Sequence, residues 1–520
     1  MSTLKVKNTN NITNFFTSYG GKGYGEAGAS YKKKSLKNFK ALSGSPNEDI
    51  TYNLATLRKR ARVLYMAAPI ATSAIKTNRT NVIGIGLYPK SKLDLNVLSM
   101  TPEQAERWQK RAEREFALWA EDKRHCDSRG LNDFYDLQQL SFISALMNGD
   151  CFAIVKRRER TQFRPYSLRL DIVEADLIST PNIFSSIVGA TDGKNEDTKN
   201  KIYDGVEVDD NGLVVAYHIC NKYPNEIGRY MENTQWVRVP VEGEQTNSLN
   251  ILHVMDTERA GQYRGVPYLA QIIEPLLQMR RYTESELMAA LVNSFFTAFI
   301  TTEKQDEGLF NDTANENIND PKEGEHVLGP AEINYLEPGE SVTFGDPKHP
   351  NSGFDKFMIC LCQMCGAALE LPYEVLLKAF NSSYSASRAA LLEAWKMFKM
   401  RRKWFESDFC RPVWELFMDE AVALGRLIAP GYFANPIIRR AYLNSQWIGP
   451  SQGQIDPIKE VTAEILKNQN GYSTREASTI SLNGSNFDDN LNQLTRENKK
   501  LQNSNIQLTI NLGEDNKVEK

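Results

Sequence analysis

Between Tyr263 and Pro372 the hydrophobic pattern changes twice, and this stretch constrains the fold more than any other. "YRGVPYLAQIIEPLLQMRRYTESELMAALVNSFFTAF" places apolar residues at 269, 272, 276, 279, 287 and 291, close to the stripe of an α-helix. Pro275 is predicted to kink this helix or divide it in two. The segment 301–344 is polar, acidic and rich in turn residues. A loop of about 44 residues is uncommon inside a compact domain unless it carries a function. The chain then returns to "FDKFMICLCQMCGAALELP", a short apolar helix ended by Gly366 or Pro372. Helix, polar insert, helix predicts an antiparallel hairpin with an elaborated tip.

Upstream the texture is mixed. Residues 54–87 are helical in period, with Pro69 interrupting or starting a helix and "VIGIGLYP" predicted as a strand bent at its glycines. "TPEQAERWQKRAEREFALWAEDKR" has a helix start, with Thr101 as cap, Pro102 at the first helical position and Glu103 beyond. A further helix ends at Asn148-Gly149. "CFAIVKR", "LRLDIVE", "IYDGVEVD", "LVVAYHIC" and "WVRVPVE" have strand character, and "DDNG" at 209–212 is a hairpin signal. Residues from about 50 to 260 therefore form an α+β domain. Residues 1–45, with "YKKKSLKNFK", are a basic, poorly ordered arm.

Downstream, "AFNSSYSASRAALLEAWKMF" (379–398) sets small hydroxylated residues directly before the longest helix. Leu391, Trp395, Phe398, Phe405 and Phe409 make its apolar stripe. Lys396, Lys399, Arg401, Arg402 and Lys403 occupy much of the remainder, and Pro412 ends or bends it. Capping requires one serine, Ser385 or Ser387. The surplus of hydroxyls, with Asn381 and Tyr384, indicates an exposed and conformationally permissive loop. In the tail, Leu491, Leu494, Leu501, Leu508 and Leu512 have heptad-compatible spacing, with Asn498 and Asn505 at intervening positions; with fewer than four clean heptads, the segment reads equally as a coiled coil or as a partly disordered tail.

The chain of 520 residues has room for about three or four domains of ordinary size. A net charge of -3 argues against tight, non-specific nucleic-acid binding, but it suits a conduit that must not grip phosphates. The seven cysteines are scattered, which predicts reduced thiols. Within "CLCQMC", Cys360 and Cys362 would point about 200° apart on a helix, so the three thiols cannot meet on one ion. The five histidines form no HExxH pair, no GxSxG or SxxK surrounds the serines, and GxxxxGK[ST] is absent. Catalysis, metal and cofactor all lack support. Leu287–Thr302, about 16 residues, is short for a membrane span, and the N-terminus has no apolar leader region.

Five separated stretches, in order, resemble the lambda family of tailed-phage portal proteins. "LRKRARVLYMAAPIATSAIKTNRTNVIGIGL" is similar to its N-terminal helix and Val-Gly-x-Gly turn. The stretch from "REFALWAEDKR" to "MNGDCFAIV" is similar to its Phe-x-x-Trp, Asp and Gly-Asp/Glu pattern. "QYRGV" and the helix after it resemble the Gln-x-Arg-Gly-Val segment. "LPYE", "YSASRA" and "EAW" resemble a third signature, and "DPIKEVTAEILKNQNGYSTREAS" the C-terminal segment. Together they span about residues 45–490.

The resemblance implies an α+β portal subunit with an α/β wing, a long helical stem, a small clip insert and a mainly helical crown, in a ring of twelve. Such a ring sits at one capsid vertex of the virion, is assembled in the host cytoplasm and passes double-stranded DNA without sequence-specific binding. Its partners would be the major capsid protein, terminase, and then head-completion or tail connector proteins. Carried onto this chain, the wing is 46–264, the stem 265–302 and 350–372, and the clip 303–349. The tunnel loop is 373–387, the helix behind it 388–425, and the crown and tail 426–520. The tunnel-loop residues are then Lys378, Asn381, Ser382, Ser383, Tyr384, Ser385 and Arg388. Terminase contact falls to Asp306, Glu307, Asp312, Glu323 and Glu325 in the clip. The competing reading, a metal-dependent DNA-processing enzyme of the packaging machinery, requires convergent carboxylates, and no such cluster stands out.

Overall fold

A computed structural model describes residues 28–30, 33–181, 192–195, 197–223, 234–294, 298–302, 340–344, 353–381, 383–453 and 456–503. Pro69 separates two helices, Tyr52–Ala67 and Pro69–Val82, taking the first position of the second, where its missing N–H has no role. Thr101 caps Pro102–Ala120 in a capping box closed by Gln104, so the acidic neighbour at 103 is not the box partner. Phe134–Asn148 ends at Gly149, whose φ of 96° few side chains adopt.

β2 (Asp150–Arg157) is the centre of a three-stranded antiparallel sheet, flanked by β3 (Leu168–Glu174) and β9 (Ile251–Met255). A second antiparallel sheet runs β4 (Asp192–Lys194), β5, β6, β7 and β8 (Trp236–Pro240) in that order. In it "IYDGVEVD" divides into β5 (Lys201–Tyr203) and β6 (Val206–Val208) around the left-handed pair Asp204 and Gly205. The 209–212 turn joins β6 to β7 (Val214–Cys220), with Asp209 Oδ1 accepting from the Leu213 amide at 2.8 Å. A small core of Phe152, Val173, Val206, Tyr217 and Ile251 fills the space between the sheets.

The larger core gathers residues from across the chain. Phe116 packs against Trp119, Phe134, Trp414 and Phe417 with ring centroids 5.1–5.4 Å apart. Full burial of such a ring contributes roughly 2–3 kcal/mol. "VIGIGLYP" is mostly turn rather than strand: Gly84 and Gly86 have φ of 61° and 130°, and Leu87 bonds the Gln138 side chain through both its backbone groups. Only β1 (Tyr88–Ser91) is extended, pairing with the distant β12 (Ser445–Ile448).

The hairpin is built from Ile273–Ser294 and Phe354–Ala368. Pro275 neither kinks nor divides the first helix; it lies in the opening turn, where the N–H would be unpaired anyway. Tyr268 bonds the Leu369 carbonyl, while Tyr282 touches Phe354 and Phe357 at 5.3 and 5.2 Å, so the helices run antiparallel. At their far end β10 (Ala298–Thr302) pairs with β11 (Glu340–Phe344) as a two-stranded ribbon leading into the polar insert. Cys362 and Cys365 are buried and Cys360 is exposed, as opposed helical faces require. Helices Pro436–Leu443, Pro457–Gln469, Arg475–Asn483 and Phe487–Asn503 complete the described chain.

Candidate functional site

The helix Tyr384–Phe405 begins four residues before the expected 388, and Tyr373–Leu377 inside the predicted loop is a short helix. Among the described residues, the irregular backbone is therefore confined to 378–381 and 383. Ser383 is the cap: its Oγ accepts from the Ala386 amide at 3.4 Å and its carbonyl from Ser387 N at 2.9 Å. Ser385 and Ser387, the expected caps, lie in the first turn, with Ser385 Oγ 3.2 Å from Ser383 Oγ. The cap precedes the helix because only a residue with extended φ/ψ can turn its hydroxyl onto the free amides, and Ser383 has ψ of 154°.

Lys378 closes the short helix in the left-handed conformation, φ 56°, with its side chain exposed. Asn381 and Ser383 are exposed, and Tyr384 and Phe380 keep about half of their surface in solvent, 51% and 46%. Phe380 was not among the predicted loop residues, since a single apolar residue in a polar run gives no periodic signal. Arg388 is half-buried and faces Glu460 at 4.0 Å, so it turns toward the helix Pro457–Gln469. Ser382 lies outside the described residues, as do Asp306, Glu307, Asp312, Glu323 and Glu325 of the insert.

The body holds this loop from both sides. Ser73 donates to the Leu376 carbonyl at 2.8 Å and fixes the short helix. Trp395, Phe398, Phe405 and Phe409 are buried in the main core. Two cations expected on the free face instead anchor the long helix. Arg401 stacks 4.2 Å over the Tyr268 ring and donates to Asn78 Oδ1 at 2.6 Å. Arg402 donates to the carbonyls of Asn81, Val82 and Pro450 at 2.9–3.0 Å, and burial pushes its guanidinium down to about 10. Pro412 does not end the helical run. The chain widens to a π-helical turn over Glu406–Cys410 and continues as Arg411–Ala423, which accommodates a proline without an N–H.

A second cluster lies in the α+β region upstream of the hairpin. Arg264 is fully buried and donates to Asp150 at 2.7 Å and Asp204 at 2.8 Å, while Arg58 reaches Asp150 at 3.3 Å. Although burial opposes its charge, these cations hold the Asp150 carboxyl well below the usual carboxylate range. Gly149 and Gly265 touch back to back. A Cβ on either would fall 2.3 Å or less from the other's carbonyl oxygen. The Gly-Asp and Gln-x-Arg-Gly-Val stretches, more than a hundred residues apart, are thus two halves of one clamp.

The lambda-family phage portal protein model matches residues 32–402. The chain belongs to this family. It is 23% identical over 487 residues to portal protein B of Escherichia phage lambda, covering 89% of this chain and 86% of that one. It is 22% identical to the portal protein of Escherichia phage N15, covering 85% and 83%. Among solved structures it aligns with the neck of a native gene transfer agent particle at TM-score 0.40 and 11% identity, covering 83% and 93%. With an HK97-family phage portal protein from Corynebacterium diphtheriae the TM-score is 0.28 at 9% identity, covering 63% and 82%.

A phage portal protein is a structural channel for DNA, not an enzyme, which sets aside the DNA-processing alternative. Among the described residues no group of His, Cys, Asp and Glu could hold a metal ion, and no helix is long and apolar enough to cross a membrane. The buried clamp of this portal-family chain joins the segments around Gly149 and Gly265 and is largely closed to solvent. Among the described loop residues, Lys378, Asn381 and Ser383 present ammonium, amide and hydroxyl groups to solvent.

Proposed function

We propose that this chain is one of twelve subunits of a ring at a capsid vertex of a virion, through which double-stranded DNA is packaged and later ejected. In this reading 46–264 is the wing, the hairpin is the stem, and residues 303–349 form an acidic clip that docks terminase and then head-completion or tail proteins. The capsid protein surrounds the ring. The tunnel loop narrows to 378–383, and its Lys378, Asn381 and Ser383, together with Tyr384 and Ser385 on the first helical turn, touch phosphates through short-lived hydrogen bonds. One copy's Lys378 would become a band of charge around the lumen.

The observation that carries the ring is the unequal burial of the first stem helix. Ile272, Leu276 and Met279 are buried, whereas Leu287, Met288 and Leu291 are more than half exposed. Phe357, Ile359 and Met364 on the second helix are also open. A cyclic assembly presents a different surface to each neighbour and would cover such faces. Electron microscopy of the purified chain tests the proposal: closed rings with a central channel are expected. A stable monomer under assembly conditions would overturn it.

A further inference from the structure

The helix Phe487–Asn503 has no buried residue, yet its sequence is not that of a solvated helix. Phe487, Leu491, Leu494, Asn498 and Leu501 recur at alternating steps of four and three, the seam of a left-handed coiled coil. Leu491 and Leu494 are 51% and 54% exposed. In heptad terms Phe487, Leu494 and Leu501 are d, while Leu491 and Asn498 are a. The spacing continues in the sequence through Asn505, Leu508 and Leu512, outside the described residues. The start of the helix is tied down, because Lys90 of β1 donates to Asn486 at 3.2 Å and lies 3.8 Å from Asp488.

We infer that this seam is closed by the same helix of a second copy of the chain, running parallel as a two-stranded coiled coil. Three features select that occupant. Asparagine at a is satisfied when it meets asparagine, and a parallel copy supplies Asn498 opposite Asn498; leucine at d is compatible with the two-stranded form. The flanking pairs of a parallel copy, Asn490 with Thr495 and Glu497 with Gln502, set no like charges against each other. Cyclic symmetry makes every copy's helix point the same way along the ring axis, the direction a parallel pair requires, and pairing of neighbours about a local two-fold lowers the symmetry of this terminal segment from twelvefold to sixfold. The inference rests on the proposed ring and adds that copies are tied in pairs beyond the ring's own contacts.

Disulfide trapping in the full-length chain tests it. In a Cys360→Ser background the remaining native thiols are buried. Leu494→Cys places a thiol in the seam and Arg496→Cys places one on the outer face. Both sites are exposed on a helix with no core contact, so folding is retained. Mild oxidation of rings should yield roughly tenfold more covalent dimer from Leu494→Cys than from Arg496→Cys, because only facing Cβ atoms meet disulfide geometry. Leu501→Cys, one heptad on, should behave like Leu494→Cys. Equal, low cross-linking of seam and outer variants within intact rings would sink the seam while leaving the ring standing. A wild-type chain that stays monomeric by electron microscopy would remove the ring and the seam together.

Discussion

Arg264 ties distant segments of the α+β region together. Its guanidinium is fully buried, bridges Asp150 and Asp204, and also reaches the carbonyls of Ala175 and Ile178 at 2.9 and 3.0 Å. Arg264→Ala strands buried carboxylates and should cost about 3–5 kcal/mol in urea unfolding. Arg264→Lys should recover only part of this, since an ammonium cannot serve so many acceptors in a plane. Asp408 has the opposite character. Burial, aided by repulsion from Asp256, pushes its carboxyl up to about 6 against the hydrogen bond from Trp404. The folded chain thus holds this proton more tightly than the unfolded chain does. Stability from this group is greatest below its ordinary value and falls as pH rises toward 6. Asp408→Asn should therefore gain about 1–2 kcal/mol at pH 7–8, after allowing for partial exposure, and little at pH 4. Thermal melts across pH read this directly, and equal gains at both ends would refute the assignment.

At the scale of elements, the long helix and its loop form one device. Arg401, Arg402 and four aromatic rings bind the helix to the body, whereas Lys378, Asn381 and Ser383 of the loop ahead of it are exposed. Capping by Ser383 was recognisable as a type of event from the serine run, but its position was not. The backbone angle that decides which hydroxyl meets the amides depends on where Leu376 and Lys378 leave the chain. Replacing 379–383 by rigid, bulky residues should leave ring assembly intact and reduce DNA packaging at least about tenfold, since loop conformers rather than core contacts are altered. Packaging at the wild-type level in such rings would remove the loop from the DNA path. Arg401 and Arg402 show why element-level reading misassigns cations. On a helical projection they extend a basic face, but the Tyr268 ring and the carbonyls of 81, 82 and 450 come to meet them.

At the scale of the whole molecule, the hairpin carries exposed apolar side chains on both helices, among them Leu287, Met288, Phe357 and Met364. Removing Leu287 and Leu291 from water across every subunit boundary would contribute roughly 1–2 kcal/mol per side chain. The double variant Leu287→Glu, Leu291→Glu should leave circular dichroism and thermal unfolding of the subunit nearly unchanged while shifting mass photometry from rings to monomers. Rings that persist undiminished would place the subunit boundary elsewhere.

Local order was legible in the sequence because local forces set it. The hairpin signal at 209–212, the Thr101 and Pro69 helix starts, the strands from 150 to 240 and the aromatic stripe of the long helix follow from turn chemistry and periodicity, and five motif stretches were enough to point to the portal family. Pairings between distant segments were not legible. β1 with β12, β9 beside β2, and the back-to-back glycines at 149 and 265 depend on chain segments whose registration no local pattern encodes. The sequence by itself determined which elements form and what kind of channel protein they serve. Only the tertiary structure decided which charges are buried, which serine caps, and which apolar faces remain open for another copy, because each depends on what the rest of the chain brings within a few ångströms.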